Sequence, residues 1–413
     1  HAIAPYVGTG RVIQAQTGQF DFSTRRQFDL QTAEIQHILQ SDRNTLLGGA
    51  RWQGGDFKTD TRLVVHRPDY VGGFPTPAAN QEVASEFERG SLYLYDYWTP
   101  WSSLTLMGGL TLDRVVHPDN FRNPPVNDEQ RTDEALSGKF GFSYSAGRAV
   151  HLRGAYAEGL GGVTFDESVR LEPSQIAGFN QAYRTVLSES IAGSVEAPSF
   201  KTWGLGLDGQ LASRTWWSIS GQVIEQDVDR TVGAFSGYEL SVFPRPAYFP
   251  DDTPQQLAYR EGSLGINVNQ LIGEEFSAGV GYLGTKSDLR STYPELVELA
   301  DLADTSDSAT LHEISLYGLW NSPSGFFARV EANWFHQQLD DDPARVAAAS
   351  SSRQGDDFWQ FNALVGWRFW RNRGEVTLGV LNIGDTDYHL SPLNPYGEIV
   401  HGRTGVVSCR FSF

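Results

Sequence analysis

Nine histidines, one cysteine and one run of three aspartates are the residues from which a catalytic or metal site could be assembled in this 413-residue chain. His37, His151, His312 and His336 fall on alternating segments that read as strands, and none sits in a nucleophile motif such as G-x-S-x-G. With no nucleophile beside a base in a recognisable motif, the chain is not expected to be an enzyme. Cys409 stands alone, which excludes an intramolecular disulfide and any multi-cysteine zinc centre. Asp340, Asp341 and Asp342 are the calcium candidates, but they lack the spacing of an EF-hand loop. The glycine pairs of GTGRV (8–12) and GLGLDG (204–209) open no helix and so do not cradle phosphate. No cofactor is expected.

Charge in the middle of strands carries more information. In WQFNALVGWRFW (359–370), Phe361, Ala363, Val365, Trp367 and Phe369 share one face, while Gln360, Asn362, Gly366 and Arg368 share the other with Leu364. FFARVEANW (326–334) likewise sets Ala328, Val330, Ala332 and Trp334 against Arg329, Glu331 and Asn333. A soluble barrel of this size needs an apolar interior; a membrane barrel inverts the pattern, apolar toward lipid and polar toward a water-filled lumen. On that reading Arg51, Asp113, Lys139, Arg153, Asp208, Glu313, Arg329, Glu331, Arg368, Glu375 and Arg410 face the lumen. The closing stretch SCRFSF (408–413) repeats the alternation, with Val407, Cys409, Phe411 and Phe413 toward lipid and Ser408, Arg410 and Ser412 inward.

The elements that position these residues are read from the spacing of the connections. Tight turns fall at SDRN (41–44), TPWSS (99–103), SAGR (145–148), ASR (212–214), LIGE (271–274), NSPSG (321–325) and WRNRG (370–374). Long connections fall near 69–82, 117–133, 159–199, 229–254, 291–304, 341–352 and 389–397, so short and long alternate strictly. That sorting is the signature of an outer-membrane barrel, with short periplasmic turns on one rim and long extracellular loops on the other. With a first strand near 3–15 and a second near 31–40, the pattern predicts an all-β, antiparallel up-and-down barrel of about sixteen strands. An even number would leave both termini in the periplasm of a Gram-negative cell. Trp98, Trp101, Tyr144, Trp217, Trp320, Trp367 and Trp370 lie beside or near the short turns, where an aromatic girdle settles at the headgroup level.

Composition agrees with one barrel over residues 1–413. Forty-three glycines, 12% aromatic residues and a single methionine fit a β protein, and no 18-residue apolar run provides a membrane-spanning helix. The opening HAIAPYVGTG has neither a charged nor an apolar leader region and reads as a mature form or a fragment. Windows drawn generously around the seven long connections carry a net −21 against −18 for the whole chain, so the acidity is extracellular. Binding to nucleic-acid phosphates is not expected. An acidic rim with a mixed-sign lumen fits a wide, weakly selective passage. The longest connection, 159–199, contains LEPSQIAGFNQAYRTVLSESI, where Ile176, Phe179, Tyr183, Val186 and Leu187 recur at helical spacing behind a capping Ser174. A helix over 174–187 is expected, either folded into the pore mouth as a gate or packed on neighbouring loops outside.

NTLLGGARWQGGDF (44–57), VRLEPSQIAGFNQAYR (169–184) and LGVLNIGDTDYHLSPLNPY (378–396) resemble the C-terminal barrels of outer-membrane proteins whose N-terminal part is built of tetratricopeptide repeats. That resemblance implies a polymer-export pore of the exopolysaccharide type, with any repeat domain upstream of residue 1. LNIGDTDY also resembles the C-terminal region of TonB-dependent receptors, but those have about twenty-two strands around a plug, more than this chain can supply. The expected function is an outer-membrane pore for a hydrophilic, polysaccharide-like substrate. A passive porin for small solutes and a closed barrel anchoring a larger complex are the alternatives. Expected partners are outer-membrane lipid and lipopolysaccharide, the barrel-assembly machinery that reads the aromatic end, and periplasmic or extracellular proteins.

Overall fold

The structure, a computed structural model, describes the chain except residues 1, 5, 8–15, 19, 66–77, 148, 162–169, 182–196, 240–245, 297–303, 340–354, 372, 389, 391–401 and 413. Three short N-terminal strands come first: β1 (Ala2–Ala4), β2 (Tyr6–Val7) and β3 (Gln16–Gly18). The wall opens with β4 (Phe20–Gln40), β5 (Asn44–Val65), β6 (Ala78–Trp101), β7 (Leu104–Pro118), β8 (Gln130–Ala146) and β9 (Val150–Leu160). A miniature hairpin follows, β10 (Gln175–Ile176) and β11 (Phe179–Asn180). The wall resumes with β12 (Ser199–Leu211), β13 (Thr215–Glu239), β14 (Pro246–Ile272), β15 (Phe276–Thr292) and β16 (Thr305–Asn321). It ends with β17 (Phe326–Leu339), β18 (Asp357–Phe369), β19 (Gly374–Leu381) and β20 (Thr404–Phe411).

These form one antiparallel up-and-down sheet in which each wall strand pairs with its neighbours in sequence, from β4 to β20. All seven short turns fall where the sequence puts them. The alternation of apolar and polar residues sorts the two faces: Leu92, Leu94, Leu110 and Leu112 are exposed on the outside, while Tyr93, Tyr95, Thr111 and Asp113 are buried on the inside. This is the transmembrane β-barrel, with short turns on the periplasmic rim and long loops on the extracellular one. A strand needs roughly 9–11 residues to cross a bilayer, so the 25 residues of β13 and the 27 of β14 extend the wall beyond the extracellular interface.

Three expectations change. The segment near 3–15 is no wall strand among its described residues: β1 pairs with β3, and Tyr6 and Val7 run parallel to Phe235 and Ser236 of β13. Among the described residues fifteen strands then make up the wall path, with β2 as the sixteenth member of the sheet. Along this path β4 starts at the rim of the long connections and β20 finishes at the rim of the short turns. The connection expected at 229–254 is mostly strand, with Thr231 paired to Pro254 and Phe235 to Pro250. Prolines signal a loop in sequence because they cannot donate to a ladder, yet here they are carried within β14. The helix expected over 174–187 is replaced by the β10–β11 hairpin, and residues 182–187 lie outside the described residues.

Candidate functional site

The inner wall of β4 to β12 carries a row of side chains that hold residues 170–181 against it. Lys139 on β8 lies across the ladder from Gly109 of β7, which in turn faces Tyr95 of β6. Because Gly109 has no side chain, the Tyr95 ring lies flat over it; a Cβ there would stand 2.6 Å from the ring. The Lys139 ammonium donates to the Tyr95 hydroxyl at 2.7 Å, to Thr111 Oγ1 at 2.7 Å and to Glu172 Oε1 at 2.9 Å. Glu172 Oε1 also accepts from the Tyr95 hydroxyl at 2.5 Å and from Thr111 at 3.1 Å. Lys139 and Glu172 are 6% and 8% exposed, so this is a buried ion pair whose lone pairs are satisfied by neighbouring hydroxyls.

Desolvation alone would raise the Glu172 carboxyl. The Lys139 ammonium, the Tyr95 hydroxyl and the Arg170 guanidinium, 3.6 Å from Oε2, outweigh it and hold the carboxyl at about 2. The backbone before it is tied as well. Glu34 on β4 accepts from the Leu171 N–H at 2.8 Å, from the Glu172 N–H at 3.1 Å and from the Tyr93 hydroxyl at 2.8 Å. Gln36 donates to the Leu171 carbonyl at 2.7 Å.

The hairpin then turns through Ala177 (φ 49°) and Gly178 (φ 83°), two consecutive left-handed residues, the I′ geometry of tight β-hairpins. Glycine adopts this freely; an alanine there costs about 1 kcal/mol. Local contacts hold it: the Ala177 N–H meets Met107 Sδ at 3.3 Å, and Arg153 reaches the Ala177 carbonyl at 3.4 Å. Ile176 and Phe179, paired across the turn, both point into the wall. Ile176 sits over Gly141 and Phe179 over Gly204, where added Cβ atoms would each stand 2.3 Å from the side chain. Ile176 packs with Leu47, Tyr93 and Tyr95. Arg153, fixed to Asp208 at 2.8 Å, places its guanidinium 4.8 Å from the centre of the Phe179 ring.

The structure thus brings together Lys139, Arg153, Asp208, Ile176 and Phe179 from the sequence reading. Asp113 forms a separate buried cluster with Arg89 at 3.1 Å and Ser91 at 2.5 Å, and Arg51 is buried on the same wall. On the far wall, Ser315 donates to Glu313, Arg329 pairs with Glu331, and Arg368 bonds Glu375 at 2.8 Å over the Phe327 ring. Arg410 stands across the ladder from Glu375. Trp98, Trp101, Tyr144, Trp320, Trp367 and Trp370 are exposed near the short turns; Trp217 is half-buried against Gly209. Tyr183, Val186, Leu187, Asp340, Asp341 and Asp342 lie outside the described residues. Sequence reading missed Glu34, Tyr93, Tyr95, Thr111 and Glu172. The alternation LYLYDY (92–97) is the signal that could have placed the tyrosines inward, but nothing in it announces the loop they hold.

The fold and its lumenal hairpin define a class, a β-barrel of the outer-membrane type with a loop segment folded onto its inner wall. No protein-family profile matches the chain, and no curated protein does. Solved structures do. The copper transporter OprC aligns with a TM-score of 0.53 at 15% identity over 95% of this chain and 57% of its own. The ferric citrate transporter FecA gives 0.53 at 12% identity over 97% of this chain and 57% of its own. The ferripyoverdine receptor of Pseudomonas aeruginosa gives 0.51 at 11% identity over 95% and 49%. This chain therefore spans about half to three-fifths of the length of the solved barrels it matches, and at such identities the likeness is one of fold.

Proposed function

We propose that the chain forms a gated outer-membrane passage for a hydrophilic substrate, with residues 170–181 as its inner latch. The observation that carries this is the tethering of that segment to four strands of the lumenal wall, through Glu34, Tyr95, Lys139 and Arg153. A loop packed outside the barrel has no reason to bury an ion pair on the inner wall, and a permanently open porin has no need of one. The barrel sits in a Gram-negative outer membrane, and it acts without a catalytic centre. The resemblance to tetratricopeptide-repeat barrels favours outward passage of a polysaccharide-like polymer. The transporters among the solved structures favour uptake of a small solute as the second reading.

Deleting residues 172–190 is expected to raise single-channel conductance in planar bilayers and to admit neutral sugars of graded size. Unchanged conductance would sink the gate. Loss of cell-surface polysaccharide in cells lacking the protein supports export, whereas intact surface polysaccharide with lost solute uptake replaces it with the second reading.

A further inference from the structure

The outside of the wall carries a depression that the passage does not use. Its volume is about 810 Å³, and its lining comes from seven consecutive wall strands, β8, β9 and β12 to β16. Elsewhere leucine, valine and aromatic side chains stand out on the lipid face, with open glycines such as Gly90 and Gly108 among them. Here four outward positions on four strands are glycine: Gly154, Gly221, Gly262 and Gly284. Two of them are not glycine for want of room. A Cβ on Gly262 would meet nothing within 4 Å, and one on Gly221 only a carbonyl oxygen at 3.8 Å. The bare floor at Gly221 and Gly262 is therefore open to an outside occupant. At its margins aromatic rings lean inward, with Phe142 2.5 Å from the Cβ position of Gly154 and the Tyr282 hydroxyl 2.6 Å from that of Gly284. Tyr282 is fixed there by a 2.8 Å hydrogen bond to His312.

The height of the depression is set by charge. On β15 the outward residues from the periplasmic end are Phe276, Ala278, Val280, Tyr282 and Gly284, then Lys286, Asp288 and Arg290. Ten residues separate Phe276 from Lys286, about one bilayer crossing, so Lys286 stands at the extracellular interface. It is exposed, and across the ladder it faces Gly262 and Thr310, neither of them charged. One row further out, Glu158, Lys201, Glu225, Arg260 and Asp288 adjoin in register with alternating sign. That row carries three acids and two bases, with Arg260 and Glu225 3.5 Å apart, and the Lys286 ammonium stands just beneath it, one outward position from Asp288.

We propose that this depression is a binding site for one multiply acylated, phosphate-bearing glycolipid of the outer leaflet, with acyl chains on the glycine floor and a phosphate at Lys286. An anionic phosphate complements a cation set at the edge of an apolar field. The breadth selects the glycolipid: seven strands about 4.8 Å apart are wider than a two-chain glycerophospholipid covers. The site rests on the outer-membrane placement of the barrel and is independent of what the lumen passes.

The test is native mass spectrometry of the full chain, folded in detergent and offered diphosphorylated hexa-acyl lipid A or phosphatidylglycerol at equal concentration. One retained lipid A per barrel is expected, with phosphatidylglycerol bound at least about tenfold more weakly. Gly262→Leu fills open space, and Lys286→Glu reverses the charge; each is expected to lower lipid A retention about tenfold, while Val365→Leu on β18 leaves it unchanged. Heat-shifted electrophoretic mobility confirms that each variant is folded. Equal retention of both lipids, or variants that bind as the parent does, overturns the site. Fractionation of cells separately reports whether the barrel reaches the outer membrane.

Discussion

Leu94 and Tyr95 are adjacent on β6, yet one is 51% exposed on the outer face and the other 1% exposed on the inner one. Away from the depression at Gly262 and Lys286, the outer face asks only for apolar bulk, because the lipid chains there make no particular contact. The inner face asks for individual partners: Tyr95 has Glu172, Gln181, Thr111 and Lys139 around its hydroxyl. Substitutions should therefore be tolerated by class on the outside and by residue on the inside. Lys139→Met tests the inner half most severely. It keeps the volume but takes away the nearer of the two cations on Glu172, leaving Arg170 at 3.6 Å from Oε2, which costs up to about 3 kcal/mol against the latched state. The expected result is raised bilayer conductance and new protease cleavage within 170–181 in a barrel that still folds. A variant with parental conductance and protection would mean that the ion pair does not hold the latch.

The outer half is broken by charge. Val365 is 56% exposed on the lipid face of β18, and arginine there should lower folding stability in liposomes by about 2–4 kcal/mol near the bilayer midplane. Gln360, on the inner face of the same strand and opposite Asn333, should accept arginine within about 0.5 kcal/mol. Urea titrations followed by tryptophan fluorescence compare the two. Similar losses at both positions would remove the distinction between the faces.

The sequence carried the outer face almost completely, because period-2 alternation and turn chemistry are local signals. It carried the inner face only as far as which residues point inward. Lys139, Arg153 and Asp208 were legible as lumenal, but Lys139 and Arg153 find their partners on a loop some tens of residues away whose own pattern read as a helix. Ile176 and Phe179 are three apart, a spacing that a helix face and a two-residue hairpin both satisfy. The deciding pair, Ala177 and Gly178, marks the turn only when both carry positive φ, and an alanine gives no such sign. The proline-bearing pairing of β13 with β14 was hidden for the related reason that ladder context outweighs residue preference.

Acid is the gentlest way to separate the faces, since the exposed leucines do not titrate while Glu172 does. Its carboxyl is held at about 2 against an ordinary 4.5, so the latched state binds fewer protons than the released one. The contribution to latching is complete above about pH 4.5 and is lost as pH falls toward 2. At about pH 3 roughly 2 kcal/mol of it has gone. Conductance should stay flat from neutral pH down to about 4.5 and rise below it. Glu172→Gln should be partly open at neutral pH and show no acid step, since the group that titrates is gone. A step of the same size in Glu172→Gln would leave the Lys139–Glu172 pair as a packing contact only.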